Sequence, residues 1–177
     1  MHPQGGCSFA RHGTYKRVKP PGTKIPRWYC PESHCTFSLL ADCFAARLPG
    51  TLCDVETVVV AVEQARSLEA AADPLRPDIE LPGAIRWTRR RVKVVHACLT
   101  ILLGLLPELF IGCQPTVTAF SQRLRVDFIL PALREIAAAH LDTLPPPLGF
   151  KPPAGSDGEP KSPVQQQTGP DPPPLLQ

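Results

Sequence analysis

Two stretches decide how this chain is read: Cys7-Ser-Phe-Ala-Arg-His-Gly-Thr-Tyr-Lys-Arg17 and Arg27-Trp-Tyr-Cys-Pro-Glu-Ser-His-Cys-Thr-Phe-Ser38. Phe9 and Tyr15 are strand formers, as are Ile25, Trp28 and Tyr29, and Lys19-Pro-Pro-Gly22 between the two sets is a turn signal. Residues 8–30 therefore read as a β-hairpin. Pro26, which has no N–H to give a ladder, marks its second arm as an edge strand, and Thr36-Phe-Ser38 adds a short third strand. The thiols fall where the knuckles of a zinc ribbon would lie, because tetrahedral Zn2+ between two hairpins takes two soft ligands from each. The candidate ligands are Cys7, Cys30 and Cys35, with His2 or His34 as the fourth. The competing reading is a ribbon that packs without metal, with Cys7 and Cys35 as small apolar residues or thiols.

Working outward, charge is uneven along the 177 residues, although the net charge is only +3. Up to residue 47 the basic side chains are Arg11, Lys16, Arg17, Lys19, Lys24, Arg27 and Arg47, against Glu32 and Asp42 alone. That asymmetry favours an anionic partner for the N-terminal part. The seven cysteines are an odd number, and Met1-His-Pro-Gln-Gly-Gly6 lacks the pattern of a signal peptide. A reduced, cytoplasmic setting is expected, in which metal binding is favoured over a disulfide framework. The most apolar run, Val94 to Leu106, is shorter than the roughly 18–20 residues a membrane span needs, and reads as a core helix.

Helical periodicity follows the hairpin. Leu40, Cys43, Phe44 and Leu48 make one face of a short helix over 39–48, ended by Pro49-Gly50. Thr51 and Asp54 form a capping-box-like pair opening a second helix. Val55, Val58, Val59, Val62, Ala65 and Leu68 line its inner face, and Glu56, Glu63, Gln64 and Arg66 face out, before Pro74 and Pro77 stop it. A third helix spans about 84–106, basic at Arg86, Arg89, Arg90, Arg91 and Lys93 and then apolar. A fourth runs from Pro115 to about Leu124, and a fifth from Asp127, as its N-cap, to about Leu141. Of 23 prolines many lie beyond Leu144, so residues 144–177 read as a disordered Pro-rich tail. The expected architecture is α+β: a zinc-ribbon-like domain over 1–50, a helical domain over 51–143, and the tail.

Three short runs carry a likeness to a known family: Arg11-His-Gly-Thr-Tyr15, Arg27-Trp-Tyr-Cys-Pro31 and Thr36-Phe-Ser-Leu-Leu40. Over about residues 7–70 the chain resembles the N-terminal zinc-ribbon and helix-turn-helix region of bacterial insertion-sequence transposases and their stand-alone relatives. The resemblance implies that Cys7 stands for the second cysteine of the first knuckle. Cys30 stands for the first of the second knuckle, with Cys35 or His34 as its partner, and Phe37 and Ser38 for the strand that leads into the helices. The chain departs from that pattern in lacking the first cysteine and in the stretched spacing of its second knuckle.

The resemblance also implies a DNA partner and an association with mobile elements. Phosphate contacts are expected from Arg11, Lys16, Arg17, Lys19, Lys24 and Arg27 on the ribbon, and from Arg89 and Arg90 on the third helix. Two segments have a helix-turn-helix layout: 39–72, with Pro49-Gly50 as the turn, and 116–141, with Gln122, Arg123 and Arg125 near it. Outward-facing Glu56, Glu63 and Glu69 suit a recognition helix poorly. Asp127, Glu135 and Asp142 cluster in a helical region and lack the spread of a two-metal carboxylate site, so no enzyme is expected. The alternative function is a helical protein-interaction module, its apolar helices forming a bundle or homo-oligomer seam and the ribbon serving as a staple.

Overall fold

The computed structural model describes residues 8–151. Three antiparallel strands, β1 (Ala10–Lys16), β2 (Lys24–Cys30) and β3 (Cys35–Ser38), form a sheet in the order β1-β2-β3. Five helices follow: α1 (Leu52–Gln64), α2 (Leu68–Leu75), α3 (Leu81–Leu105), α4 (Val117–Leu124) and α5 (Ile129–Ile136), with a 3-10 turn over Ala138–His140. The α+β architecture and the N-terminal sheet agree with the sequence reading. The expected Pro-rich tail from residue 152 on lies outside the described residues.

Pro26 is not on an edge strand, since β2 is the central strand. It pairs with Thr14 just past a bulge in β1, and β3 reaches only to the Arg27–Ser38 pair. Its missing N–H therefore costs no ladder bond, as expected of a proline next to a bulge.

The helix expected over 39–48 does not form. Two guanidinium groups hold the backbone here instead: Arg134 takes two carbonyls that a helix would have used, and Arg17 binds those at the C-terminal end of the segment. Arg17 donates to Ala45 O at 3.2 Å, Leu48 O at 2.7 Å and Gly50 O at 3.2 Å. Arg134 donates to Asp42 O and Phe44 O, both at 2.7 Å. The segment instead folds back, Phe44 bridging to Thr51 and Gly50 turning at φ 98°. The first helix-turn-helix layout falls with this helix.

α1 begins as read. Thr51 Oγ1 accepts from Asp54 N at 3.1 Å, and Thr51 N donates to Asp54 Oδ2 at 2.7 Å. It ends earlier than expected, at Gln64, and Ser67 caps a separate α2 that carries Pro74 within its last turn. α1 is the hub of the bundle, packing on α2, α3, α4 and α5. Its Leu52, Val55 and Val59 meet Val95, Leu99 and Leu102 of α3, Phe120 of α4 and Leu133 of α5 in one core.

Glu56 and Glu63 do not face out. They lie seven residues apart on α1, on the stripe of Leu52 and Val59, and each closes the N-terminus of another helix. Glu56, 2% exposed, accepts from Ile129 N at 2.7 Å and Leu130 N at 2.8 Å. Glu63 accepts from Val117 N, Thr118 N and the Thr118 hydroxyl at 2.7–2.9 Å, and from His96 Nε2 at 2.9 Å. Asp127 is accordingly not the N-cap of α5: Phe128 holds that position without a side-chain bond, and Glu56 does the capping.

The fold also continues past residue 143. Leu144 and Leu148 are fully buried in the core, and Arg134 donates to Pro147 O at 2.6 Å and Leu148 O at 3.0 Å. Gly149 passes so close to the carbonyls of Leu144 and Leu141 that any side-chain carbon there would collide with them. The helical body thus takes in residues 144–151, which the sequence reading assigned to the tail.

Candidate nucleic-acid interface

The ribbon stands on the helical body at one end; beyond it β1 is exposed, Trp28 and Phe37 are half-buried and Cys30 is buried. Ile25 is buried, Arg17 ties the base of the hairpin to the 45–50 turn, and Gly50 N donates to Lys19 O at 3.3 Å. All seven residues of β1 are exposed. The pairs Arg11–Trp28 and Trp28–Phe37 are in register, as are Lys16–Lys24. Strand alternation then puts Arg11, Lys16, Lys24, Trp28 and Phe37 on one face. Phe9 meets Phe37 edge-on at 5.9 Å. Trp28 Nε1 is a buried donor with no acceptor.

That face concentrates positive charge. Lys16 and Lys24 are direct cross-strand neighbours, a like-charge pairing that disfavours the sheet by itself. No carboxylate occurs within β1, β2 or β3, and Glu32 lies in the turn between β2 and β3. Exposed cations beside half-buried aromatics on one face match the two needs of a nucleic-acid surface, phosphate neutralisation and base stacking.

The remaining expected contacts divide. Lys19 is exposed, and Arg27 is half-buried on the other face, with Tyr29. Arg17 is spent inward: its guanidinium lies 4.9 Å over Phe44 and holds the backbone, so it is a structural clamp rather than a phosphate contact. On α3, Arg89 and Arg90 are exposed. Glu69 is held below the usual carboxylate range by its own amide, by Ser67 and in smaller part by Arg89, so Arg89 already has a nearby anion. Arg91 is buried and lies with its guanidinium 3.6 Å over the ring of Trp87. The sequence reading missed Trp87, whose signal was its position four residues before Arg91 on a helix.

α4 and α5 keep the second helix-turn-helix layout, Arg125 turning between them at φ 56°. A recognition helix shows its first turn to base edges. The first turn of α5 is closed by the Glu56 carboxylate, and Ile129 and Leu130 are fully buried. Arg123 donates to Leu109 O at 2.9 Å. The layout is therefore internal scaffolding.

Of the expected zinc ligands, Cys7 and His2 lie outside the described residues. Cys30 and Cys35 are cross-strand partners, Cys30 buried and Cys35 exposed. His34, at φ 52° in the turn between them, has its Nδ1 2.9 Å from Tyr29 Oη. Among the described residues no three His, Cys, Asp or Glu side chains gather as a metal site. What the fold brings together is one half of the expected ligand set. Cys98 lies in the core, where burial pushes its thiol up to about 12.

No helix among the described residues is long and apolar enough to cross a membrane. Comparison with protein-family models, with curated proteins and with solved structures finds no match.

Proposed function

We propose that the chain is a non-catalytic DNA-binding protein that works through the basic face of its ribbon. The observation that carries this reading is the alignment of Arg11, Lys16 and Lys24 with Trp28 and Phe37 on one carboxylate-free sheet face. The cross-strand Lys16–Lys24 pair is unfavourable in the free protein and becomes favourable once a polyanion lies across it. The likeness of the ribbon to those of insertion-sequence transposases is the ground for linking the protein to a mobile element. Zinc enters as a staple at the end of the ribbon away from the helical body, taking Cys30 and Cys35 together with Cys7. One zinc per chain by elemental analysis supports the staple, and a folded metal-free protein removes it while leaving the DNA reading intact.

An electrophoretic shift of duplex DNA at low salt tests the proposal. A shift that is lost in Lys16→Gln/Lys24→Gln supports it, and no shift at any salt concentration defeats it. A protein-interaction role is favoured instead by the exposed Leu109, Ile111 and Phe128 on the loops flanking α4. Association through such residues would withstand salt.

A further inference from the structure

The 47–49 turn and the first half of α3 enclose a cleft of about 340 Å³. Arg47 and Pro49 line one side, and Arg86, Trp87, Arg90 and Arg91 the other. No carboxylate lines it.

Arg91 is the telling residue. It is only 5% exposed, and its Nη1 donates to Trp87 O at 3.2 Å. A guanidinium has five donors, and stacking on Trp87 uses its face rather than its edge. The charges that act on it are also cations. Burial pushes Arg91 down to about 10, and Arg76 and Arg90 add to the effect. Arg76, itself 4.9 Å over the Trp87 ring, already has its carboxylate in Asp78 at 2.7 Å. The other donors of Arg91 are not sealed from solvent, and a mostly buried cation set among further cations in a cleft marks a candidate site of function. Arg47 adds a second sign. It holds an exposed side chain at the mouth of the cleft on a left-handed backbone, φ 56°, which L residues seldom adopt.

The chemistry selects the ligand. Four guanidinium groups around a small cleft exceed the charge of one carboxylate. A phosphate group carries up to two negative charges and three oxygens that guanidinium forks engage in pairs. We propose that this cleft is a phosphate-binding site, with Arg91 fixed on Trp87 as its floor and Arg47, Arg86 and Arg90 converging on the bound group. The site goes beyond the ribbon reading and stands without it; Arg90 is the cleft residue that the sequence also offered as a phosphate contact.

The test is thermal unfolding of the full chain in sodium phosphate against sodium chloride at equal ionic strength. Phosphate is expected to raise Tm by about 2–4 °C at concentrations well above its Kd. The increment is expected to vanish in Arg47→Gln/Arg90→Gln, two exposed positions outside the core, and to survive in Lys16→Gln/Lys24→Gln. Equal Tm values in the two salts, or an increment kept by Arg47→Gln/Arg90→Gln, overturns the site. DNA affinity of the same variant then identifies the source of the phosphate. A loss means that the cleft takes a backbone phosphate of the nucleic acid, and unchanged affinity means a free phosphate or phosphomonoester. A phosphate increment without any DNA binding would keep the cleft and remove the ribbon reading, and the reverse outcome would do the opposite.

Discussion

Glu56 and Glu63 show how two charged side chains on one helix organise three. Burial raises the Glu56 carboxyl above the usual glutamate range, and the N–H groups of Ile129 and Leu130 only partly offset it. Burial acts on Glu63 in the same direction, but the Thr118 hydroxyl and N–H, His96 and the Val117 N–H together bring it below that range. The two therefore oppose one another in acid. Stability owed to Glu63 is present above pH 4.5, the ordinary glutamate value, and is lost as pH falls through its lowered pKa. The Glu56 contribution is full below that ordinary value and is lost as pH rises through its raised one. In urea melts between pH 3 and 7, Glu63→Gln is expected to flatten the acid loss. Glu56→Gln is expected to gain on the wild type as pH rises. Glu56→Ala leaves two buried N–H groups without acceptors and is expected to cost about 2–4 kcal/mol. A neutral Glu56→Ala would show that water replaces the carboxylate. The sequence carried a signal for both residues, the seven-residue spacing that puts them on the stripe of Leu52 and Val59. A face defined by Val55, Val58, Val59, Val62, Ala65 and Leu68 passed over it, because the helix N-termini they cap lie more than fifty positions away.

Elements whose cues are local were legible, and elements fixed from a distance were not. The Thr51–Asp54 capping box sits in adjacent turns of chain and forms as read. Thr51→Ala is expected to cost about 1 kcal/mol in chemical unfolding, with the helical content of the folded state unchanged. The apolar periodicity over 39–48 met the same rules and yields no helix, because Arg17, just past β1, and Arg134 on α5 bind carbonyls of the segment. Arg134→Met is expected to lose several kcal/mol, about 3–5, since it leaves the buried carbonyls of Pro147 and Leu148 and the part-buried ones of Asp42 and Phe44 without this donor. Arg134→Lys is expected to recover little, as an ammonium cannot reproduce the planar fork. Near wild-type melting of Arg134→Met would mean that the segment holds its path by packing alone. The ribbon strands were legible because alternation and turn chemistry are local. The central place of β2 was not, because Pro26 is accommodated by a bulge in its partner strand.

At the scale of the whole molecule, the helical body ends later than composition suggests. Prolines after Leu144 read as a tail, yet Leu144 and Leu148 fill the core and the carbonyls of Pro147 and Leu148 hold Arg134. A chain cut after residue 151 is expected to melt with the full-length protein, and one cut after residue 143 to unfold at a clearly lower temperature. Equal melting of the two would contradict the packing of the 144–151 segment. Of the candidate interface, the cations were legible as charge in the sequence, and the fold sorted them. Arg17 went to structure, Arg91 to the cleft, and Arg11, Lys16 and Lys24 to one aromatic face. That face is the centre of the account, and its salt dependence in solution is the most direct test. Fluorescence anisotropy of a labelled duplex, followed from about 50 to 200 mM salt, is expected to give log Kd rising with log salt at about 0.9 per phosphate contact. The slope should fall by roughly two in Lys16→Gln/Lys24→Gln. A slope near zero, or one that this variant leaves unchanged, would contradict the claim that the ribbon face binds DNA.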